Sequence, residues 1–73
     1  MGKLRISNNI RKLRFEHGEM TQKQLADKVG VTRQTIVAIE NAKYSPTLEL
    51  AFLISRVFGQ TLTDVFSFED DDE

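Results

Sequence analysis

Thr21-Gln22-Lys23-Gln24-Leu25-Ala26-Asp27-Lys28-Val29-Gly30-Val31-Thr32-Arg33-Gln34-Thr35-Ile36, continued by Ile39-Glu40-Asn41, is the stretch that decides the fold. Thr21 stands where a helix cap belongs: its hydroxyl can accept from orphan backbone amides, and Gln24, three residues on, completes a capping box. Met20 and Leu25 form a hydrophobic staple around that cap, and Leu25, Ala26 and Val29 recur at helical spacing. Gly30 supplies the permissive backbone that a sharp reversal requires. Only Gly30, Val31 and Thr32 separate this helix from the next, which is capped by Thr32 and stapled by Val31 and Ile36. On the second helix Ile36, Ile39 and Glu40 point one way, while Arg33, Gln34, Val37, Ala38 and Asn41 point the other. That second stripe holds no bulky core residue except Val37, so it looks at solvent or at a partner.

Upstream, a first helix is expected to begin at Ser7 or Asn8 and to end before Gly18. Ile6, Ile10, Leu13, Arg14 and His17 share one of its faces, and an arginine on a buried stripe calls for a buried acid. The preceding Lys3-Leu4-Arg5-Ile6 alternates polar and apolar residues, which fits either an extended arm or a short strand. Downstream, a loop from Ala42 to Pro46 leads to a fourth helix capped by Thr47, with Leu50, Ile54, Val57 and Phe58 inward and Gly59 as its stop. Thr61 to Asp64 repeats a capping pattern, so a short fifth helix brings Leu62, Val65 and Phe66 to the core. The expected fold is all-α, with five helices in one domain over residues 1–68. Glu69 to Glu73 is an acidic tail expected to be disordered.

Seventy-three residues suffice for one hydrophobic core, which leaves little room for a deep substrate cleft. The chain has no cysteine and one histidine, so disulfides and thiolate metal sites are excluded, and His17 has no partners at metal-ligand spacing. A structural role at a helix end suits it. No glycine-rich phosphate loop or carboxylate pair in a cleft appears, so no enzyme, cofactor or small-molecule ligand is expected. The apolar run from Leu48 to Phe58 is broken by Glu49, Ser55 and Arg56 and no signal peptide is evident, which points to a cytoplasmic protein with no membrane partner. Ten basic side chains stand against eleven acids, but five of those acids are the last five residues, so the rest of the chain carries a net charge of +4. A modestly basic body is compatible with nucleic acid without requiring it.

Two short helices joined by a glycine turn, the second with a polar outer stripe, have the sequence form of a helix-turn-helix. The quoted residues, together with Ser45-Pro46-Thr47-Leu48-Glu49-Leu50-Ala51 and the closing Leu62, Val65 and Phe66, resemble the Cro/C1-type family, also called the xenobiotic-response-element family. The similarity runs from about Ile10 to Phe66 and looks closest to small stand-alone bacterial and phage regulators. Glu19 departs from it by lengthening the turn after Gly18 by one residue. The resemblance implies a λ-repressor-like fold and a transcriptional regulator, taken as a repressor, that reads a two-fold-symmetric operator in double-stranded DNA. Repression and activation are not separated by any residue, because they depend on where the operator lies.

Residue roles follow from the resemblance and from the chemistry at each position. A helix lying in the major groove presents its first turn to base edges, where Arg33 can donate twice to guanine and Gln34 can bond bidentately to adenine. Val37 and Ala38 can meet a thymine methyl. Gln22 matches the family residue that grips the backbone, and Thr32, Thr35, Asn41 and Lys43 are placed for phosphate contacts. Arg14 and Glu40 occupy positions at which the family commonly carries a buried ion pair.

Leu48 and Phe52 lie on the side of the fourth helix opposite Leu50, Ile54 and Val57. Either the fifth helix and the segment around Phe66 and Phe68 fold over them, or they join Phe68 in a two-fold contact between subunits. The resemblance favours the homodimer, since paired recognition helices raise affinity and specificity. An alternative from another class is a protein-interaction module such as an antitoxin or anti-regulator, to which the acidic tail and spare apolar residues would also belong.

Overall fold

Threonine starts four of the five helices in the computed structural model, which describes residues 4–70. Thr21, Thr32, Thr47 and Thr61 each adopt an extended backbone and accept a bond from the amide three residues on, opening α2 (Gln22–Val29), α3 (Arg33–Glu40), α4 (Leu48–Phe58) and α5 (Leu62–Val65). At Thr21 and Thr61 the third residue answers with its own side chain, so Gln24 and Asp64 complete capping boxes. Gly30 and Gly59 close α2 and α4 in the left-handed conformation, with φ of 79° and 65°.

The first helix, α1 (Ile10–Glu16), begins later than Ser7 or Asn8. Those two residues belong instead to a strand, β1 (Leu4–Asn8), which pairs antiparallel with β2 (Phe66–Asp70). Ile6 faces Phe68 and Asn8 faces Phe66 across the pair, and the Ser7 and Ser67 hydroxyls bond at 2.8 Å. The described residues are therefore mostly helical, with the expected five helices and a two-stranded sheet made by residues 4–8 and 66–70. Three details of the sequence reading change with it. Ile6 is a strand residue, not part of the α1 face. Phe66 leaves α5 at once, as the first residue of β2, and still reaches the core. The strand also takes in Glu69 and Asp70, where the run of acids predicts a disordered tail; Lys3 and residues 71–73 lie outside the described residues.

One core collects Ile10 and Leu13 of α1, Leu25, Ala26 and Val29 of α2, Ile36 and Ile39 of α3, Leu50, Ala51, Ile54 and Phe58 of α4, then Val65 and Phe66. Val57 packs at its margin, and the inward position is shared by Ser55, a buried serine whose hydroxyl bonds the Ala51 carbonyl at 2.9 Å. That back-bond satisfies the only polar group the α4 core face carries. His17 ends α1 with Nδ1 2.8 Å from the Leu13 carbonyl and its ring edge-on to Phe58. Glu19 follows Gly18 in the left-handed region at φ 55°, so the extra residue is accommodated in the turn, and Met20 still reaches back to the Arg14 carbonyl at 2.9 Å. None of the described helices is long and apolar enough to cross a membrane.

Candidate nucleic-acid interface

Helices α2 and α3 meet at the Gly30 turn, where the amides of Gly30 and Val31 both bond the Ala26 carbonyl, at 2.9 and 3.0 Å. Ile36 and Ile39 sink into the core and fix the rotation of α3, which leaves Arg33 and Gln34 exposed on its first turn. Val37 and Ala38 are partly buried on the flank of the same face. Thr32 and Thr35 are joined through their hydroxyls at 3.0 Å, while Thr32 Oγ1 also accepts the Thr35 amide. Beyond the last turn, Asn41 is exposed, Ala42 turns left-handed at φ 59°, and the Lys43 amide returns to the Ala38 carbonyl at 2.9 Å. The Lys43 side chain projects from that turn and is exposed.

An ion pair anchors this helix to α1. Arg14 donates through Nε to Glu40 Oε2 at 2.6 Å and through Nη2 to Oε1 at 3.1 Å, a bidentate fork with the side chains 12 % and 7 % exposed. Its remaining amino group, Nη1, donates to the Met20 carbonyl at 2.7 Å, just ahead of the α2 cap. Gln22 completes the cluster by donating from Nε2 to Glu40 Oε1 at 3.2 Å.

Above the cluster lies an open depression lined by Gln22, Arg33 and Asn41 together with Arg11, Phe15 and Lys23. Arg14 offsets the charge of Glu40 and Lys23 sits 3.2 Å from Asp27, so Arg11 and Arg33 give the depression its positive sign. Arg11 lies three residues before Arg14 and so shares its side of α1, a placement that nothing in its local sequence marks as functional. Its guanidinium stands 6.0 Å from the centre of the Phe15 ring, within cation–π reach, and both side chains line the depression. Leu48, Phe52 and Phe68 do not line this depression and are 68, 48 and 71 % exposed, so the fold leaves them largely uncovered. Among the described residues no group of three or more His, Cys, Asp or Glu is placed to hold a metal ion.

The arrangement of α2, the glycine turn and α3 is that of a helix-turn-helix, and residues 10–65 match the helix-turn-helix family; the chain belongs to it. An uncharacterized HTH-type transcriptional regulator of Methanocaldococcus jannaschii is 48 % identical over 67 residues, which cover 92 % of this chain and all of that protein. A second such regulator, from Archaeoglobus fulgidus, is 51 % identical over 67 residues, covering 92 % of this chain and 94 % of its own. The control protein C.MunI of a Mycoplasma species is 34 % identical over 65 residues, or 89 % of this chain and 88 % of that one. Among solved structures, a putative DNA-binding protein from Bacteroides fragilis superposes with a TM-score of 0.74 at 19 % identity, covering 85 % of this chain and 98 % of the other. The transcriptional regulator VanUg superposes at 0.77 with 21 % identity, covering 97 % and 92 %. These two share the fold.

Proposed function

We propose that this chain is a sequence-specific DNA-binding transcriptional repressor that lays the start of α3 in the major groove. The observation carrying this reading is the first turn of α3: Arg33 and Gln34 are exposed side by side, with Gln22, Asn41 and the cationic Arg11 around them. Arg33 and Gln34 read base edges, with Val37 and Ala38 against thymine methyls. Gln22, Thr32, Thr35, Asn41 and Lys43 grip phosphates and set the register, and Arg11 joins them from α1. Occupying a promoter excludes polymerase without any further contact, so repression needs nothing beyond binding. The protein acts in the cytoplasm, where its DNA is.

A second copy completes the unit. Leu48, Phe52 and Phe68 form the contact between subunits, and the two α3 helices then read the halves of a two-fold-symmetric operator about one DNA turn apart. Selection of bound duplexes from a random pool tests the whole reading, with a symmetric consensus as the expected result. Replacing Arg33 by alanine should cost about 1–3 kcal/mol and relax preference at one base pair, whereas Lys43→Ala should weaken all duplexes alike and flatten the salt dependence. Uniform loss in both variants would overturn the division between reading and gripping residues, and no selected sequence at all would overturn the function.

A further inference from the structure

Glu40 is bonded to more than its ion-pair partner, and the extra bond goes to a residue of the proposed interface. Its Oε1 accepts both Arg14 Nη2 and Gln22 Nε2, while Oε2 is taken by Arg14 Nε. We infer that Glu40 is a positioning residue for DNA binding, which holds the Gln22 carboxamide with its nitrogen inward and its second N–H free to donate to a phosphate. The inference rests on the reading of Gln22 as a phosphate contact.

The chemistry leaves one arrangement open to Gln22. Turned over, its carbonyl oxygen would stand against the Glu40 carboxylate, two acceptors 3.2 Å apart with no proton between them. An amide NH2 carries two hydrogens, so one satisfies the carboxylate and one remains. A free glutamine must freeze its rotamers on binding, and a tethered one has already done so. Arg14 has the complementary task. A bare carboxylate under a phosphate site would repel the ligand, but both Glu40 oxygens are covered by the guanidinium, which also fixes the Met20 carbonyl two residues before Gln22. The charge of Glu40 is thus spent inside the protein, and what faces outward is a neutral donor.

The test is a double-mutant cycle on DNA affinity, using the duplex that the wild-type chain selects from a random pool, with Gln22→Ala, Glu40→Gln and both together. In Glu40→Gln the amide oxygen stays on Arg14 Nε and the new NH2 takes the place of Oε1, so Arg14 Nη2 loses its acceptor and Gln22 meets a donor, which reverses the demand on it. Glu40→Gln should weaken binding about tenfold in the wild-type background. In the Gln22→Ala background it should cost less than about twofold, because the group it positions is gone. Equal losses in the two backgrounds overturn the inference and leave the phosphate role of Gln22 standing. Wild-type affinity in Gln22→Ala, or a wild-type chain that selects no duplex, defeats the parent reading instead. Nitrogen-edited NMR of the free protein supplies a readout that does not depend on DNA or on Glu40→Gln folding. The Gln22 side-chain NH2 pair, assigned by its disappearance in Gln22→Ala, should have one proton displaced downfield; a pair at the ordinary solvated position would overturn the tether.

Discussion

Asn8 ties the amino end of the chain to the far end of α3: its Nδ2 donates to the Ile39 carbonyl at 2.9 Å while its Oδ1 accepts the Ile10 amide at 3.1 Å. The residue after it, Asn9, anchors through its amide to Val65 and through its side chain to Asp64. The sheet formed by the chain ends is in this way connected to the helix that carries Arg33 and Gln34.

Asn8→Asp separates the two bonds, because the carboxylate still accepts the Ile10 amide but has nothing to donate to Ile39. The variant should lose about 1–3 kcal/mol of stability in denaturant unfolding, since it leaves a partly buried carbonyl facing a carboxylate. Asn8→Ala should lose both bonds and cost more. Equal stability of Asn8→Asp and wild type would show that the strand pairing holds the end of α3 without this bond.

The Arg14 and Glu40 side chains are both nearly out of solvent, so removing one partner abandons a charge in a poorly solvated site. Arg14→Met or Glu40→Leu alone should each destabilise the domain by about 3–5 kcal/mol, and the two combined should be far milder. Thermal or denaturant unfolding of the four proteins measures the coupling. Strict additivity would mean that the pair contributes nothing as a pair.

The helices are legible because their signals are local. Thr21 with Gln24, Thr32, Thr47, and Thr61 with Asp64 each announce a start within four residues, and Gly30 and Gly59 announce the stops. The sheet is not, because its two strands are separated by most of the chain: Ile6 gains its partner only when Phe68 arrives beside it. Without that partner, Asn8 reads as a helix cap and Phe66 as the end of a helix. At the candidate site, the family positions single out Arg33, Gln34 and Gln22 as candidates, whereas the bond from Gln22 to Glu40 joins residues on two helices and leaves no local trace. Arg11 escapes notice for the same reason, since nothing in its neighbours says that α1 borders the depression.

Two left-handed positions near α3 predict changes of opposite sign. Gly30 has φ 79° with open space where a Cβ would stand, so Gly30→Ala meets no clash and its cost is backbone strain alone. About 1–2 kcal/mol is expected. Ala42 at φ 59° already carries that strain, so Ala42→Gly should stabilise the domain by about 0.5–1 kcal/mol while leaving Lys43 in place. Melting temperatures that move the same way in both variants would contradict the assignment of strain to these turns.

One face of α4 is left aside by the core. Ile54 is fully buried, yet Leu48 and Phe52, one helical turn apart, are 68 and 48 % exposed, and Phe68 on β2 is 71 % exposed. Covering a large apolar side chain is worth about 1.5–3 kcal/mol, and a two-fold contact counts each residue twice. Phe52→Glu places two like charges across the proposed axis at little cost to the monomer core, since Phe52 is half-exposed and outside that core. Sedimentation over a range of concentrations should find wild-type dimers and Phe52→Glu monomers with the same helical circular dichroism. On a symmetric duplex, the variant should bind each half-site independently and more weakly, because the second recognition helix no longer arrives with the first. A wild-type chain that remains monomeric even on such a duplex would remove this face as the contact.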